Sequence, residues 1–523
     1  MSVKNAPESC HQNRSLPAMK NRIQNLLVCQ TKSPKHLDCY LHRFGNRQVL
    51  VAAISWTALC LCFIGCQSYP QHVSRYRVDY FEGDIDSASA ELDRILSKRT
   101  KDETVFQLDQ SLINLSQGKP THTEQILCNV RDQFKTEAQI LDIADLSNWV
   151  RDDRIRTYHP DDYELLFIQI FLLLANLLRD GDDAYAYANQ VQLTQNEIET
   201  KLKYLMSEYP EDQLTRDERF ASAANKKSPD LPDREFATKA SHLKPFQKVA
   251  LAPYIAGVLF EQTHRDYDTA ARFYEKAFKL NSEFKEAKFA MDRCLESVHS
   301  STGNGVLHVF AAVGKGPSKI ESLEIPTSQA MLIADRILSE IGDHSLPPTV
   351  SPIKTARIVT PHNSISGIQI TIGDQSHSTQ TITNLSKIAI EQQKAKLPGD
   401  IARAVVRRAI KKSAIYASKD ALSTGNHSLA DGLLNLGGIL WEATESADTR
   451  CWQVLPERIE VARIELPAGR HPVTFQAISS QPGQQSVNQA AVEIRDGANT
   501  YVFVNFPTTR LAGKILVSGQ NND

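Results

Sequence analysis

The feature that most constrains this chain is one uncharged apolar run, Val49 to Cys66 (VLVAAISWTALCLCFIGC). Arg43 and Arg47 stand just before the run, and polar sequence begins at Gln67. A run of this length lies near the lower limit for a membrane span and is slightly long for the apolar core of a signal peptide. The sequence therefore predicts that the chain meets a membrane here and that the residues after Cys66 lie on its far side.

The end of the run carries a lipidation pattern. Phe63-Ile64-Gly65-Cys66 resembles the lipobox of bacterial lipoproteins, with phenylalanine in place of the usual leucine. The resemblance implies that the Cys66 thiol receives a lipid and that 1–65 is a leader that is removed, and stable anchoring then needs more than one acyl chain. The long segment 1–48 before the run leaves an uncleaved transmembrane helix as the alternative. Gln67 after the cysteine favours the outer membrane.

The composition excludes some classes of function. The 523 residues carry a net charge of −2, which argues against a strongly basic nucleic-acid-binding protein. Apolar residues make up 41% and charged residues 23%, and the length after Cys66 allows roughly three globular domains. The cysteines after the anchor are Cys128, Cys294 and Cys451. They are too few for a disulfide framework, and three buried thiols are favoured over one bridge.

Residues 72–300 are predicted to be helical, with helix–turn–helix spacing. The clearest copy is 254–282, and weaker copies lie at 163–193 and near 81–95. We expect four residues at the large and small positions of a tetratricopeptide repeat to pack the helices of the clearest copy together: Tyr254, Ala270, Tyr274 and Ala277. Small side chains there allow two helices to approach closely. The alternative is an ordinary helical domain without a peptide-binding groove.

The next region mixes strands and helices. The apolar run 306–313 predicts a buried strand, and a helix at 328–341 and a strand at 368–372 follow. The glycine-rich turn 314–319 (GKGPSK) lacks the phosphate-loop pattern G-x-x-x-x-G-K-[ST], so a plain turn is favoured over a nucleotide site.

Three more helices are expected before the C-terminal region. Two lie in 385–419, broken at 397–400 (LPGD), where Asp400 can cap the second helix. The second helix carries five cationic residues: Arg403, Arg407, Arg408, Lys411 and Lys412. They form either a cationic surface for an anionic lipid or glycan, or the solvated face of a packed helix, which is favoured. The third, 429–444, contains Gly437-Gly438 at an expected close contact.

The C-terminal segment is predicted to be rich in β-strand. The stretch 459–475 predicts a hairpin with its turn at 467–470, and Ile459, Val461 and Ile464 are its expected inward positions. The stretch 490–506 predicts a second hairpin around an Asp-Gly turn. We expect a small antiparallel module, with Trp452 in its core or sealing it against the helices.

Together these patterns predict an α+β fold: an N-terminal tetratricopeptide-like α-solenoid, a mixed α/β middle region and a small C-terminal antiparallel β-sandwich. The predicted regions are a leader at 1–65 (apolar core 49–65), the helical domain at 66–300, the mixed region at 301–446 and the β-rich module at 447–523.

Two short segments near the C-terminus carry a family resemblance, ADTRCWQVLP (447–456) and LPAGRH (466–471). With the lipobox and the repeats before them, they resemble an uncharacterised family of bacterial envelope lipoproteins that share an ADTR-x-W-x-x-LP segment and an LPxG-x-H turn. The similarity spans most of the chain after Cys66 and implies architecture and location, not chemistry. The residues that it marks as structural or binding residues are Asp448, Arg450, Trp452, Pro456 and Gly469.

The sequence contains no H-E-x-x-H, no G-x-S-x-G and no C-x-x-C after the anchor. We therefore expect no catalytic residue, metal or cofactor. The lipobox-like segment before Gln67 predicts an envelope lipoprotein that faces the periplasm. Its expected role is that of a protein–protein interaction scaffold. The expected partner is an envelope protein or a cell-wall component, and not a nucleic acid. The alternative is an envelope hydrolase with an unrecognised carboxylate pair, because glycosidase acids can lie far apart in sequence. A deep polar cleft would favour the enzyme, and a shallow concave helical face would favour the scaffold.

Overall fold

Helices occupy the N-terminal portion of the described chain, and several mainly antiparallel sheets follow, so the fold is mixed α+β as predicted. The computed structural model describes residues 69–98, 101–140, 158–179, 181–208, 248–341, 352–422, 446–479 and 486–520. All of these residues belong to one unit, Tyr69–Asp523.

The helical layer consists of helices that each pack on the next one along the sequence. In chain order they are α1 (Tyr69–Glu82), α2 (Ile85–Leu96), α3 (Glu103–Gln117), α4 (Pro120–Ile140), α5 (Asp162–Arg179), α6 (Ala184–Glu208), α7 (Leu251–Leu259), α8 (Tyr267–Leu280) and α9 (Lys285–Leu295). A π-helical turn, Phe260–His264, continues α7. Because neighbours in sequence are neighbours in space, the layer is built mainly from local contacts.

Capping residues mark two of the predicted helix–turn–helix turns. The Asp84 side chain accepts a hydrogen bond from Ser87 N at 3.1 Å at the start of α2, and Asp266 accepts one from Thr269 N at 3.1 Å at the start of α8. Gly83 stands before the first cap with φ +90°, a conformation that favours glycine. Each cap satisfies a backbone N–H that the helix itself cannot pair.

The described strands form three sheets. They are β1 (Asn304–Val313), β2 (Ser318–Glu324), β3 (Ile353–Val359), β4 (Ile365–Ile372), β5 (Gln375–Ser378), β6 (Gln380–Asn384), β7 (Arg458–Pro467), β8 (Gly469–Ser479), β9 (Asn488–Ile494), β10 (Asn499–Phe506) and β11 (Leu516–Val517). A five-stranded sheet has the order β11-β10-β1-β7-β6, a four-stranded sheet has the order β5-β4-β8-β9, and β2 pairs with β3 in a ribbon. Strand β1 is antiparallel to β7 and parallel to β10.

The five-stranded sheet is covered on both faces, which explains why β1 reads as a continuous apolar run. Phe310 of β1, Val461 of β7 and Phe503 of β10 belong to the core of the helical layer. Val309 of β1 and Ile464 of β7 belong to a second core that also contains side chains of the four-stranded sheet. The described molecule is therefore layered, with helices, the five-stranded sheet and the four-stranded sheet in that order.

The two predicted C-terminal hairpins are wrong. Strand β7 pairs with β1 and β6, whereas β8 pairs with β4 and β9; likewise β9 pairs with β8, whereas β10 pairs with β1 and β11. The short turns at 467–470 and 495–498 thus carry the chain from one sheet to the other. Residues 459 and 461 face the helices and residue 464 faces the second core, so the three positions do not share one inward face. Turn residues alone do not show which strands pair, because pairing depends on strands that are distant in sequence.

The five-stranded sheet also spans the domain boundary that we expected between 446 and 447. Strand β1 precedes that boundary, and its two partners β7 and β10 follow it. The predicted strand at 306–313 and the predicted helix at 328–341 correspond to β1 and to α10 (Ser328–Ile341).

The predicted break at 397–400 is also wrong. One helix, α11 (Leu385–Leu422), runs through Pro398, so Asp400 does not cap a new helix. Proline inside a helix costs about 3 kcal/mol. Packing on both sides offsets this cost, since Leu385 and Ile388 belong to the core of the helical layer, and Val405 packs into a third core with α10.

The cationic residues of α11 are not all solvated, contrary to the favoured interpretation. Arg407 and Arg408 are buried, and Arg408 donates to Pro352 O at 3.3 Å. Arg403 is exposed. The side chains of Lys411 and Lys412 and the expected helix 429–444 lie outside what the structure describes.

Within the described residues, no helix combines the length and apolar character needed to cross a bilayer. The apolar run 167–178 lies in α5, a helix that is buried within the helical core.

Candidate functional site

The motif segment Ala447–Pro456, here called the strap, belongs to no helix or strand and yet is largely buried. It lies directly before β7 and contacts helices α3 and α5. A buried irregular segment cannot pair its backbone N–H and C=O groups in a ladder, so it needs partners from elsewhere. Side chains of the helical layer supply them.

Asp109 of α3 binds two successive backbone N–H groups of the strap. Its Oδ1 accepts from Gln453 N at 2.8 Å and from Val454 N at 3.1 Å, and its Oδ2 accepts from the Tyr76 hydroxyl at 2.6 Å. Burial raises the pKa of Asp109 to about 7, although the hydrogen bonds favour its ionised form. The Asp109 carboxyl is thus the hydrogen-bond acceptor for two backbone N–H groups of the strap.

Glu164, in the first turn of α5, binds the strap in the same way at the preceding residue. Its Oε1 accepts from Trp452 N at 2.7 Å and from the Tyr158 hydroxyl at 2.8 Å, and its Oε2 accepts from Asp161 N at 2.8 Å. Burial raises the pKa of Glu164, and the nearby Lys319 ammonium partly offsets this effect. Three consecutive strap N–H groups are thus held by two buried carboxyls.

Arg450 ties the start of the strap to the helical layer. The sequence spacing allows Arg450 and Asp448 to pair, and two parallel contacts of 2.8 and 2.7 Å join their side chains. The guanidinium also donates to Asp102, just before α3, at 2.9 Å. Charge-assisted pairs of this forked geometry are among the strongest hydrogen bonds in proteins. The pair therefore acts as a clamp.

Trp452 seals the strap onto the helices rather than filling the core between the two sheets. Its ring is fully buried 5.7 Å from the Phe171 ring of α5. The neighbouring Cys451 carbonyl accepts from the Tyr69 hydroxyl at 3.0 Å. Burial raises the pKa of the Cys451 thiol to about 12, which leaves it protonated and unreactive at neutral pH.

The glycine-rich turn 314–319 packs directly on the end of the strap. Gly316 N donates to Leu455 O at 2.8 Å, and a Cβ at Gly316 would lie only 2.4 Å from that oxygen. The Lys315 ammonium lies 4.9 Å from the centroid of the Phe81 ring. Pro456 ends the strap in a buried position beside this turn. The glycine permits close approach of two backbones, as in a plain structural turn.

A second set of carboxylates lies beside the strap and is paired with lysines. Lys319 contacts Asp161 at 2.7 Å, and Lys396 and Lys201 contact Asp162 at 2.8 and 3.0 Å. Burial opposes ionisation of both carboxyls, but the lysines outweigh it and hold the pKa of Asp161 and of Asp162 below the usual value. Groups that stay ionised in pairs suit a structural role more than general acid catalysis.

The residues expected to pack the clearest repeat lie in α7 and α8 and are all fully buried: Tyr254, Ala270, Tyr274 and Ala277. The Tyr254 and Tyr274 rings lie 5.7 Å apart. A Cβ at Gly257 would lie 2.6 Å from the Tyr274 ring, so this helix crossing needs glycine as well as alanine.

A buried carboxylate also lies at this crossing. Glu261, in the π-helical turn, accepts a hydrogen bond from the Tyr274 hydroxyl through Oε2. Its Oε1 lies 3.9 Å from Arg293 and 4.0 Å from Arg463, too far for a hydrogen bond. Arg293 instead donates to Glu286 at 2.8 Å.

The remaining predicted site residues lie elsewhere. Gly469 stands at the turn between β7 and β8 with φ +141°, a conformation that side chains rarely adopt. Cys66 lies outside the described residues. Among the residues that the structure does describe, no group of three or more histidine, cysteine or carboxylate side chains is placed to hold a metal ion, and the three cysteines Cys128, Cys294 and Cys451 are free thiols.

The sequence analysis missed the carboxyls that bind the strap. Asp109 falls among the apolar positions of α3, between Val105 and Leu112, and Glu164 falls in the apolar α5. An acidic residue on the buried face of a helix is the signal that could have identified them.

Comparison of the chain with protein families, with curated proteins and with solved structures gave no match in any of the three.

Proposed function

We propose that this protein is a membrane-tethered envelope lipoprotein that acts as a protein–protein interaction scaffold through its helical repeats. The observation that carries the scaffold role is the sequential packing of α1 to α9, in which each described helix contacts the next described helix. Nearest-neighbour stacking of this kind is typical of repeat proteins, whose extended surfaces bind other proteins.

The architecture that we propose refines the mixed α+β fold. Helices α1 to α9 form a degenerate tetratricopeptide-like α-solenoid, and the two larger sheets form a β-sandwich around their shared core. The sandwich includes β1 and β4 in addition to the C-terminal strands. In this arrangement the strap joins the solenoid to the sandwich, and partners bind at helical surfaces that the strap and the sheet leave open.

The alternative, an envelope hydrolase, has one observation in its favour. A carboxyl with a pKa near 7, such as Asp109, has the property of a general acid. However, the Asp109 side chain is fully buried, and both of its oxygens accept hydrogen bonds from the protein. A group without access to substrate favours the scaffold over the hydrolase.

Metabolic labelling with a clickable fatty acid tests the anchor. We expect label on the wild-type chain and none on Cys66→Ser, because Cys66 follows the lipobox-like residues. Cys62→Ser is the matched control, since it removes a thiol from the same apolar run. An unlabelled wild type, or equal label on Cys66→Ser and Cys62→Ser, would exclude the lipoprotein.

Site-specific photo-crosslinking in intact cells tests the scaffold. Crosslinkers at exposed positions of the helical layer, such as Leu193 of α6, should capture a partner, whereas one at exposed Asp374 in the β4–β5 turn should not. Absence of any crosslinked partner, together with hydrolysis of cell-wall material that Asp109→Asn abolishes, would favour the enzyme instead.

A further inference from the structure

The last helix of the layer, α9, has an unusual outer face. Its exposed residues recur with helical spacing and form one stripe: Lys285, Lys288, Phe289, Asp292, Leu295 and Glu296. Two of them are large and apolar, with Phe289 52% exposed and Leu295 82% exposed. Val298, just after the helix, is 42% exposed.

Helix α9 lies at the end of the described helical layer. The helix packs on α8 through the opposite side, where Ala287, Ala290 and Cys294 are buried. After α9 the described chain leaves the helical layer and enters β1, so no further described helix follows in the stack. The end of a helix stack is normally closed by a polar outer face. Here the end retains apolar residues of the kind that a following helix would cover.

The charges on the stripe identify what can cover it. Lys285 and Lys288 stand at the N-terminal end, and Asp292 and Glu296 stand towards the C-terminal end. A second copy of this helix, laid antiparallel, brings the basic end of each helix against the acidic end of the other. Antiparallel packing also places the helix dipoles in opposite directions, which is favourable.

We infer that two copies of this chain associate through α9, in a two-fold antiparallel contact with Phe289 of both copies near its centre and Leu295 of both copies towards its ends. A two-fold interface requires a self-complementary surface, and the stripe has this property in both its apolar and its charged residues. The contact adds a self-association surface to the proposed scaffold and needs neither the lipid nor another partner.

Paired charge reversals provide a direct test on the full-length chain in detergent, with protein mass measured by light scattering. The wild type should have the mass of a dimer. The variant Lys285→Glu/Lys288→Glu and the variant Asp292→Lys/Glu296→Lys should each dissociate at least about tenfold more readily, because like charges then face each other. An equimolar mixture of the two should recover the dimer, since opposite charges again face each other.

Two further variants complete the test. Phe289→Asp should give a monomer, and the double reversal Glu275→Lys/Lys279→Glu, at an exposed ion pair on α8, should leave the dimer unchanged. The inference is wrong if the wild type is a monomer at micromolar concentration, if the stripe variants remain as dimeric as the α8 control, or if the mixture stays monomeric. Far-ultraviolet circular dichroism checks that each variant is folded, and an unfolded Phe289→Asp is replaced by Leu295→Ser with the same expected loss of dimer.

Discussion

Two buried carboxylates, Asp109 in α3 and Glu261 in the turn after α7, each accept a hydrogen bond from a tyrosine, and the remaining contacts differ. The second oxygen of Asp109 accepts from two backbone N–H groups of the strap, 344 and 345 positions away in sequence. The second oxygen of Glu261 has two guanidinium groups near it, at 3.9 and 4.0 Å, but no hydrogen bond. The first carboxylate therefore joins distant regions of the chain, and the second supports a local helix crossing.

The difference shows how each region is specified. At Glu261 the tyrosine partner, Tyr274, is only 13 positions away and belongs to a local repeat pattern. At Asp109 the partners are backbone groups, which any residue other than proline provides. Local packing thus leaves a pattern in the sequence, whereas a carboxylate that binds a distant backbone leaves only an acidic residue in an apolar context.

The largest loss of stability is expected when the strap loses the carboxyl that accepts its backbone hydrogen bonds. Asp109→Ala leaves two buried N–H groups and the Tyr76 hydroxyl without an acceptor, which should lower the free energy of unfolding by about 3–5 kcal/mol. Urea denaturation measures the change. Asp132→Ala is the control, because the Asp132 side chain is 62% exposed and its ion pair with Arg131 is worth at most about 1 kcal/mol. Equal effects at the two positions would show that the strap does not depend on Asp109.

Replacing the tyrosine partner of each carboxylate by phenylalanine compares the two sites directly. Tyr274→Phe removes the hydrogen bond that Glu261 receives from Tyr274, so we expect a loss of about 2–3 kcal/mol. Tyr76→Phe leaves Asp109 with two backbone hydrogen bonds, so we expect about 1–1.5 kcal/mol. Denaturant midpoints of both variants against the wild type give the values. A larger loss for Tyr76→Phe would mean that the two guanidinium groups already satisfy Glu261.

The same distinction explains how much of the fold the sequence predicts. Strand β1, helix α10 and the turns before α2 and α8 follow from local signals: an apolar run, helical spacing and capping aspartates. The two predicted hairpins failed because short turns also connect strands of different sheets, and the pairing of β7 and β10 depends on β1. The continuity of α11 through Pro398 likewise depends on tertiary packing.

For the candidate site, the sequence predicts the strap but not its environment. Asp448, Arg450 and Trp452 stand in one motif, so the segment could be identified, and the Asp448–Arg450 spacing of two allows the pair that forms. The side chains that hold the strap come from α3 and α5, more than 280 positions earlier in the sequence. Without the fold, no spacing rule connects them to the motif.

A smaller effect is expected at the local crossing of α7 and α8. Gly257→Ala places a Cβ 2.6 Å from the Tyr274 ring, and the resulting overpacking should cost about 1–2 kcal/mol. Gly399→Ala is the matched control, since Gly399 lies in helix α11 with no atom within 4 Å of the added Cβ. Alanine there should stabilise the protein by about 0.5–1 kcal/mol. Thermal unfolding of both variants compares them, and stabilisation by Gly257→Ala would contradict the close crossing.

A further prediction concerns how stability depends on pH at the strap. In the native state Asp109 has a pKa of about 7, above its usual 3.8, so between these values the native state binds more protons than the unfolded chain. Stability from this group is therefore complete below pH 4 and declines as the pH rises to 7. Asp109→Asn keeps an acceptor for the Gln453 and Val454 N–H groups but cannot titrate, so the wild type should lose stability relative to this variant across that range. Urea denaturation at intervals between pH 4 and 8 measures the difference, with Asp132→Asn as the control. A difference that is constant with pH would mean that Asp109 is already ionised throughout, so that its hydrogen bonds outweigh its burial.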